Sequence, residues 1–209
     1  LFMKKLLALG VISFSLSASL AEARFFLGVE GGYEMSDTFV QAGNRGHVVW
    51  GSSAFENKAR IDSWTAGANL GTEHQLNDLF GLRWYFGVNY GENTNQKLIF
   101  QIQYLDFQLG ADALLNFVNT GSFAFGVFAG IGGNFSKGSF TGNFFKSTDE
   151  TAHIAQAGFF GQVGLTFGLG EHNRIDLTAR IPIMNVVLAE DGNPIYNPLR
   201  FTLGYKFIF

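Results

Sequence analysis

The chain ends on LRFTLGYKFIF, residues 199–209, and this stretch decides the fold. Bulky apolar side chains occupy every second position from Leu199 to Phe209. Most of the positions between them hold small or polar residues, such as Thr202 and Gly204. Successive side chains of a β-strand point to opposite faces. The segment therefore predicts a strand with one bulky apolar face and one small or polar face.

The same alternation recurs upstream. Seven further segments show it: Phe25–Glu34, Trp64–Gly71, Leu82–Gly91, Leu105–Asn116, Phe123–Gly132, Phe159–Phe167 and Ile175–Ile183. Together with the final segment they predict eight strands of about ten residues, the length that crosses a bilayer at a tilt.

The connections between these segments differ in length at the two ends. Those after the second, fourth and sixth strands are short, and the others are mostly longer. The short ones are Glu73–Phe80, Phe117–Gly121 and Gly170–Asn173; the others are Met35–Ala59, Glu92–Lys97, Phe135–Ala152 and Asn185–Asn197. This asymmetry is typical of bacterial outer-membrane barrels. The sequence predicts an all-β fold, a closed antiparallel transmembrane β-barrel of eight strands over residues 24–209.

Two architectural alternatives stay open. Ten strands would result if Val48–Trp50 and its neighbours formed a further hairpin. A soluble β-sandwich would show similar alternation, with its bulky face turned towards a second sheet.

Composition excludes several classes of protein. The chain has 27 glycines, 24 phenylalanines and no cysteine, with 47% apolar and 15% charged residues. The apolar content argues against disorder, and the absence of cysteine excludes a disulfide scaffold. A net charge of −3 gives no basic footprint for nucleic acid.

The first residues predict export. Lys4 and Lys5 precede an apolar run, Leu6–Leu16, and Ala21-Glu22-Ala23 follows the pattern of a cleavage site. The run is too short to span about 30 Å of hydrocarbon. We expect residues 1–23 to be a signal peptide, with the two residues before Met3 an artefact of where the reading frame was opened.

The final strand also resembles the C-terminal β-signal that outer-membrane barrels present to their assembly machinery. The residues that carry this likeness are Leu203, Tyr205, Phe207 and Phe209. The chain as a whole resembles small barrels of the OmpA/OmpX type. Residues 21–33 and the Phe-rich end are similar to the Helicobacter outer-membrane protein families. The resemblance implies a Gram-negative outer membrane, contact with its lipids and recognition by the assembly machinery; adhesion and porin activity both occur among such families.

Charged residues recur on the small or polar face. This set comprises Glu30, Arg83, Asp106, Asp112, Asp176, Arg180, Arg200 and Lys206. An eight-stranded barrel is just wide enough for side chains to fill, and buried charges persist when paired. A salt-bridged lumen is therefore favoured over an ion path. Arg83 and Arg180 should each bind one of the carboxylates, and the inward glycines should accommodate Tyr85, Phe128 and Phe160.

Catalytic and cofactor motifs are not found in the sequence. The histidines are His47, His74, His153 and His172, and none has a serine two positions later. Neither GxGxxG nor a Walker sequence occurs. We expect no enzyme activity, no cofactor and no metal.

Apolar residues in two predicted loops suggest contact surfaces, although they could equally fold over the barrel mouth or extend the strands. They are Phe39, Val40, Val48, Val49, Trp50 and Phe55 in the first loop, and Phe135, Phe140, Phe144 and Phe145 in the third. The functional prediction is a structural or surface-interaction (adhesin-like) role, with the long loops contacting a host or surface ligand. A narrow pore for ions or small solutes is the alternative, and a lipid-modifying enzyme is the third hypothesis.

Overall fold

The computed structural model describes residues 23–37, 45–52, 60–93, 100–142, 151–188 and 196–209. Apart from Ala23, the expected signal peptide lies outside these residues and stays a prediction. Phe39, Val40, Phe55, Phe144 and Phe145 lie outside them as well. The described residues contain no helix that is long and apolar enough to cross a bilayer.

Nine strands are found in the described part of the chain. They are β1 Ala23–Asp37, β2 Val48–Trp50, β3 Arg60–Gln75, β4 Phe80–Asn93, β5 Phe100–Asn119, β6 Phe123–Gly142, β7 Thr151–Leu169, β8 Asn173–Val187 and β9 Leu199–Ile208. Eight of them form the barrel wall, and β2 is an addition to its rim.

The barrel closes through its last strand. Antiparallel pairing runs from β8 through β7, β6, β5, β4 and β3 to β1, and β9 pairs with both β1 and β8. The prediction of a closed, antiparallel, eight-stranded barrel is therefore confirmed. Closure satisfies the backbone groups that an open sheet edge would leave unpaired in lipid.

Ten strands would require a further hairpin at Val48–Trp50, but the structure has a single short strand there, β2. Pairing between β8 and β9 ends at Arg180 and Arg200, whereas β8 continues to Val187. Val48–Trp50 pairs with Met184–Val186 and so covers part of the edge that β9 does not reach. The described residues thus give eight barrel strands and one short extra strand.

Most strands are longer than the alternation predicts. β5 and β6 each have 20 residues and β7 has 19. The predicted loop Phe135–Ala152 was wrong in extent, since β6 runs to Gly142 and β7 begins at Thr151. The sequence has no clear apolar period there, although β6 and β7 stay paired up to Thr141 and Thr151.

The outward face is apolar and carries aromatic residues at both ends. Trp64 and Tyr90 lie with ring centroids 5.5 Å apart towards the loop end, and Phe25 and Phe209 lie 5.7 Å apart at the opposite rim. Aromatic girdles of this kind mark the two interfaces of an outer-membrane barrel. Between them Leu109 is 67% exposed, whereas its neighbour Gly110 is buried, as the predicted faces require.

Candidate functional site in the barrel lumen

Aromatic rings fill the lumen by lying over glycines. Five inward rings each pair directly across the sheet with a glycine: Phe26 with Gly71, Tyr85 with Gly110, Tyr104 with Gly91, Phe128 with Gly164 and Phe160 with Gly132. A Cβ at any of these glycines would overlap the opposite ring. The predicted role of the inward glycines is therefore confirmed for Tyr85, Phe128 and Phe160.

A buried ion-pair cluster lies around Arg83. Its guanidinium reaches Asp112 at 2.7 Å and Asp176 at 2.8 Å, and it stacks over the Phe128 ring at 4.6 Å. Lys206 also contacts Asp176, which accepts a further hydrogen bond from Thr166 at 2.7 Å. All the charges of this cluster are paired, which is the condition for keeping them in a low-dielectric interior.

A second cluster lies around Arg200. The guanidinium contacts Glu34 through Nε and Asp106 through Nη2, the latter at 3.1 Å. Asp106 also accepts hydrogen bonds from Gln108 at 2.6 Å, from Ser136 at 2.8 Å and from Asn134 at 3.0 Å. This carboxylate is thus saturated by four donors.

Arg180 differs from the prediction, because no carboxylate of the described chain pairs with it. Its Nε and Nη2 donate to Gln162 Oε1 at 3.1 and 3.0 Å, and its Nη1 donates to Gln108. The guanidinium also stacks over Phe160 at 4.6 Å. Gln162 lies directly opposite Arg180 in the sheet. Its Nε2 donates a hydrogen bond to Asp112 at 2.6 Å. Counting charges along the sequence overlooks such neutral amides.

Glu30 and three charges that the sequence analysis left out complete the lumen. Glu30 is half-buried and accepts a hydrogen bond from Asn69 at 3.3 Å. Glu34 is fully buried, and Arg174 pairs with Glu73 at 2.7 Å. Glu34 shares the parity of Glu30, so alternation could have identified it. Glu73 was missed because it was assigned to a turn, whereas β3 extends to Gln75.

Residues Tyr196–Pro198, which we call the Tyr196 cap, fold inward at the loop end. The Gln156 amide holds the backbone of Tyr196 through two hydrogen bonds, donating to its carbonyl at 2.6 Å and accepting from its N–H at 3.2 Å. The Tyr196 hydroxyl donates to Ser63 at 2.9 Å. Burial and the neighbouring Glu34 raise the pKa of this hydroxyl well above its usual value, so it remains a neutral donor.

The cap is also tied to the segment that follows β2. Ser52 donates to the carbonyl of Asn197 at 3.1 Å, and the Asn197 side chain donates to the Gly51 carbonyl at 3.4 Å. The Asn185 side chain contacts Asn197 from β8. No sequence pattern indicated this cap, because a segment between two strands carries no alternation.

The residues of the predicted assembly signal lie together on the outward face of β9. The Phe207 ring packs between His172, 5.7 Å away, and Phe209, 5.1 Å away. The Phe209 N–H donates to the Phe25 carbonyl at 2.8 Å, and the Tyr205 hydroxyl donates to Asn173. Leu203 is exposed further up the strand. Their role in assembly stays a prediction.

Other side chains hold the acidic side chains of the lumen. No group of three or more histidine, aspartate or glutamate side chains that could hold a metal ion occurs among the residues that the structure describes. The lumen carboxylates are instead engaged by arginine, lysine and amide donors.

A closed eight-stranded barrel with an apolar outer face, aromatic girdles and a paired polar lumen defines a small outer-membrane β-barrel protein. The model of the family described as Helicobacter outer membrane protein matches residues 67–209. The chain belongs to this family, and its location is the bacterial outer membrane.

The chain is also similar to solved structures at low sequence identity. Ail, the attachment invasion locus protein of Yersinia pestis, solved with the heparin analogue sucrose octasulfate, is 12% identical, with 90% of this chain and 99% of that chain covered and a TM-score of 0.50. Neisserial surface protein A is also 12% identical over 90% and 99%, with a TM-score of 0.47. OprG from Pseudomonas aeruginosa is 12% identical over 90% and 97%, with a TM-score of 0.44. The curated proteins give no match.

Proposed function

We propose that this outer-membrane barrel has a surface-interaction, adhesin-like role, in which its extracellular end contacts a host or surface ligand. The observation that carries the proposal is the filled lumen. Side chains and the Tyr196 cap occupy the interior that a transport protein would leave open. The barrel therefore serves as a rigid support for its extracellular end.

The filling extends over the depth of the bilayer. The Glu73–Arg174 pair lies towards the periplasmic turns, the Arg83 cluster lies above it, and Arg200 and the Tyr196 cap follow at the loop end. A polar cavity beneath the cap measures about 40 Å³. About 10–15 Å³ of cavity volume suffices for one water, so the space has room for a few waters.

On one side of the barrel the strands also extend unusually far towards the loop end. A transmembrane strand needs only about 9–11 residues, whereas β5 and β6 have 20 each. On the outward face of β6, Phe135 is followed two positions later by the exposed Lys137, which marks the upper limit of the apolar band. The remainder of these strands projects beyond the membrane, and residues 143–150 follow β6 in the sequence at this end.

Adherence of cells that display the barrel tests the proposal. A laboratory Gram-negative strain without adhesins of its own would express the intact chain, or a variant in which residues 143–150 are replaced by a Gly/Ser segment of equal length. The matched control changes the periplasmic turn instead, through Leu76→Ser with Leu79→Ser. We expect the intact chain and the control to increase binding to cultured epithelial cells, and the loop variant to lose most of this gain at equal surface level.

Adherence at the level of the empty vector, or adherence that the loop replacement leaves unchanged, would contradict the proposal. The alternative of a narrow pore rests on the polar cavity beneath the cap. It predicts stepwise conductance of the purified barrel in planar bilayers, whereas the filled lumen predicts none.

We also propose that the chain is not an enzyme. His172 Nδ1 lies 2.8 Å from the Ile208 carbonyl, and His74 Nε2 lies 3.2 Å from the Thr72 hydroxyl. These contacts engage one ring nitrogen of each histidine with a backbone carbonyl or a neighbouring hydroxyl. An altered mass of lipid A on overexpression would overturn this proposal.

A further inference from the structure

Within the described part of the chain, Glu30 is the lumen carboxylate that forms no ion pair. The lumen charges of that part are six carboxylates and five cations. They are Glu30, Glu34, Glu73, Asp106, Asp112 and Asp176 on one side, and Arg83, Arg174, Arg180, Arg200 and Lys206 on the other. Each carboxylate except Glu30 contacts an arginine or a lysine. The lumen therefore carries one negative charge in excess.

This excess charge belongs to Glu30. The Arg83 cluster and the Glu73–Arg174 pair are each neutral. Arg180 is the direct sheet partner of Arg200, and the carboxylates of Glu34 and Asp106 balance these two guanidinium groups. Charges persist in a low-dielectric interior when they are paired. Glu30 thus calls for a positive partner that the five lumen cations do not supply.

Glycines surround Glu30 and leave room beside its carboxylate. Gly28 and Gly32 are the inward residues before and after it on β1, and Gly67 and Gly204 are its direct partners in the sheet. A Cβ at Gly204 would meet its nearest atoms at 3.6 Å, which is an ordinary contact distance, so the space above this glycine is open. Glu30 is accordingly only half-buried.

The Asn89 side chain directs a buried oxygen towards this space. Asn89 is 1% exposed, and its Oδ1 has no hydrogen-bond partner among the described residues. Gly67 lies between Asn89 and Glu30 in the sheet, and a Cβ at Gly67 would overlap this oxygen. The oxygen therefore lies over Gly67, on the side of Asn89 that faces Glu30.

Asn69 supplies a second oxygen of this kind. Its Nδ2 donates to the Glu30 carboxylate at 3.3 Å, which orients the amide, and its Oδ1 is buried without a hydrogen-bond partner in the described residues. This Oδ1 lies over Gly28, where a Cβ would meet it at 2.6 Å. Buried polar atoms are normally satisfied. Two amide oxygens and one carboxylate thus lie around the same space, and neither amide oxygen has a donor.

We infer that this space holds a single alkali-metal cation, with the Glu30 carboxylate and the side-chain oxygens of Asn69 and Asn89 as ligands. Hard cations bind carboxylate and amide oxygens. One positive charge neutralises the lumen, whereas a divalent ion would leave an excess of positive charge. Such a site departs from the sequence-based expectation of no metal, because histidine and acidic clusters do not register amide oxygens. The cation joins β1 to β3 and β4, and a ligand that binds only the folded state stabilises it.

A titration of stability with sodium tests the site. The purified barrel in detergent would be unfolded with urea at constant ionic strength while sodium chloride replaces the chloride of N-methylglucamine, a bulky organic cation. Above the dissociation constant, each tenfold rise in sodium should raise the folding equilibrium constant up to tenfold for one site. The variant Glu30→Gln should lose this dependence. The control Glu171→Gln, which removes an exposed carboxylate from the turn between β7 and β8, should keep it.

A wild-type midpoint that does not respond to sodium would overturn the inference, and the Glu30 carboxyl would then hold a proton or water instead. Equal responses of wild type and Glu30→Gln would overturn it too, because the effect would then be a general salt effect. If Glu30→Gln fails to fold, Asn89→Ala takes its place, since it removes one amide oxygen and keeps the carboxylate. A weaker sodium response of Asn89→Ala supports the site, and a response equal to that of the wild type refutes it.

Discussion

Replacement of Gly132 by alanine tests the principle by which this lumen is filled. A Cβ at Gly132 would overlap the Phe160 ring and would lie 2.7 Å from the Leu109 carbonyl oxygen. The adjacent Gly133 is the matched control, because a Cβ there meets its nearest atom, the Gly158 carbonyl oxygen, at 3.6 Å. Neither glycine has a positive φ, so the two variants differ in side-chain space and not in backbone strain.

The expected magnitudes follow from that space. Overpacking a close-packed interior costs about 1–3 kcal/mol, and at Gly132 the obstacle includes backbone as well as a ring. Gly133→Ala reduces only the freedom of the unfolded chain, and so should be neutral or stabilising by about 0.4–1 kcal/mol. The free energies of unfolding of the two variants should therefore differ by about 1–4 kcal/mol.

Equilibrium unfolding in urea from lipid vesicles measures this difference, with the midpoint and slope taken for each variant. The double variant Gly132→Ala with Phe160→Leu removes the ring as well. It should be more stable than the sum of the two single effects predicts, with a coupling of about 0.5–3 kcal/mol. If Gly132→Ala is as stable as Gly133→Ala, or if the coupling is absent, the aromatic–glycine pairing does not shape the lumen.

Three further predictions concern the charges, the lipid face and assembly. Arg83→Met leaves two buried carboxylates without their shared cation and should lower the free energy of unfolding by about 3–5 kcal/mol; a urea midpoint equal to that of the wild type would contradict the ion-pair assignment. Arg180→Met leaves two amide acceptors unpaired, at about 1–3 kcal/mol each. Leu109→Arg places a charge in the hydrocarbon and should cost about 2–4 kcal/mol, but Lys137→Arg should be neutral, and equal vesicle stabilities would refute the face assignment. Deletion of Phe209 should sharply lower the outer-membrane fraction in cells while the purified chain still refolds in detergent with a heat-modifiable gel shift; wild-type membrane levels would show that Phe209 is not a targeting residue.

The alternation of side chains determined the fold without any tertiary information. It placed eight strands on the chain, assigned Leu109 outward and Gly110 inward, and left a polar interior that suits a membrane barrel. This succeeds because the two faces of a strand alternate with a period of two residues, a strictly local property. It failed in the upper parts of β6 and β7, where the sequence has no clear apolar period although the two strands remain paired.

The pairing inside the lumen was decided only by closure of the barrel. Arg83 and Asp176 are 93 positions apart, and the register and tilt of the closed sheet bring them to 2.8 Å. In the closed barrel Arg180 donates to two glutamines and pairs with no carboxylate of the described residues. Tyr196 lies over the interior, where Gln156 binds its backbone. Strand parity states which side chains enter the lumen, but which of them meet depends on the stagger between strands, and no local pattern in the sequence encodes that stagger.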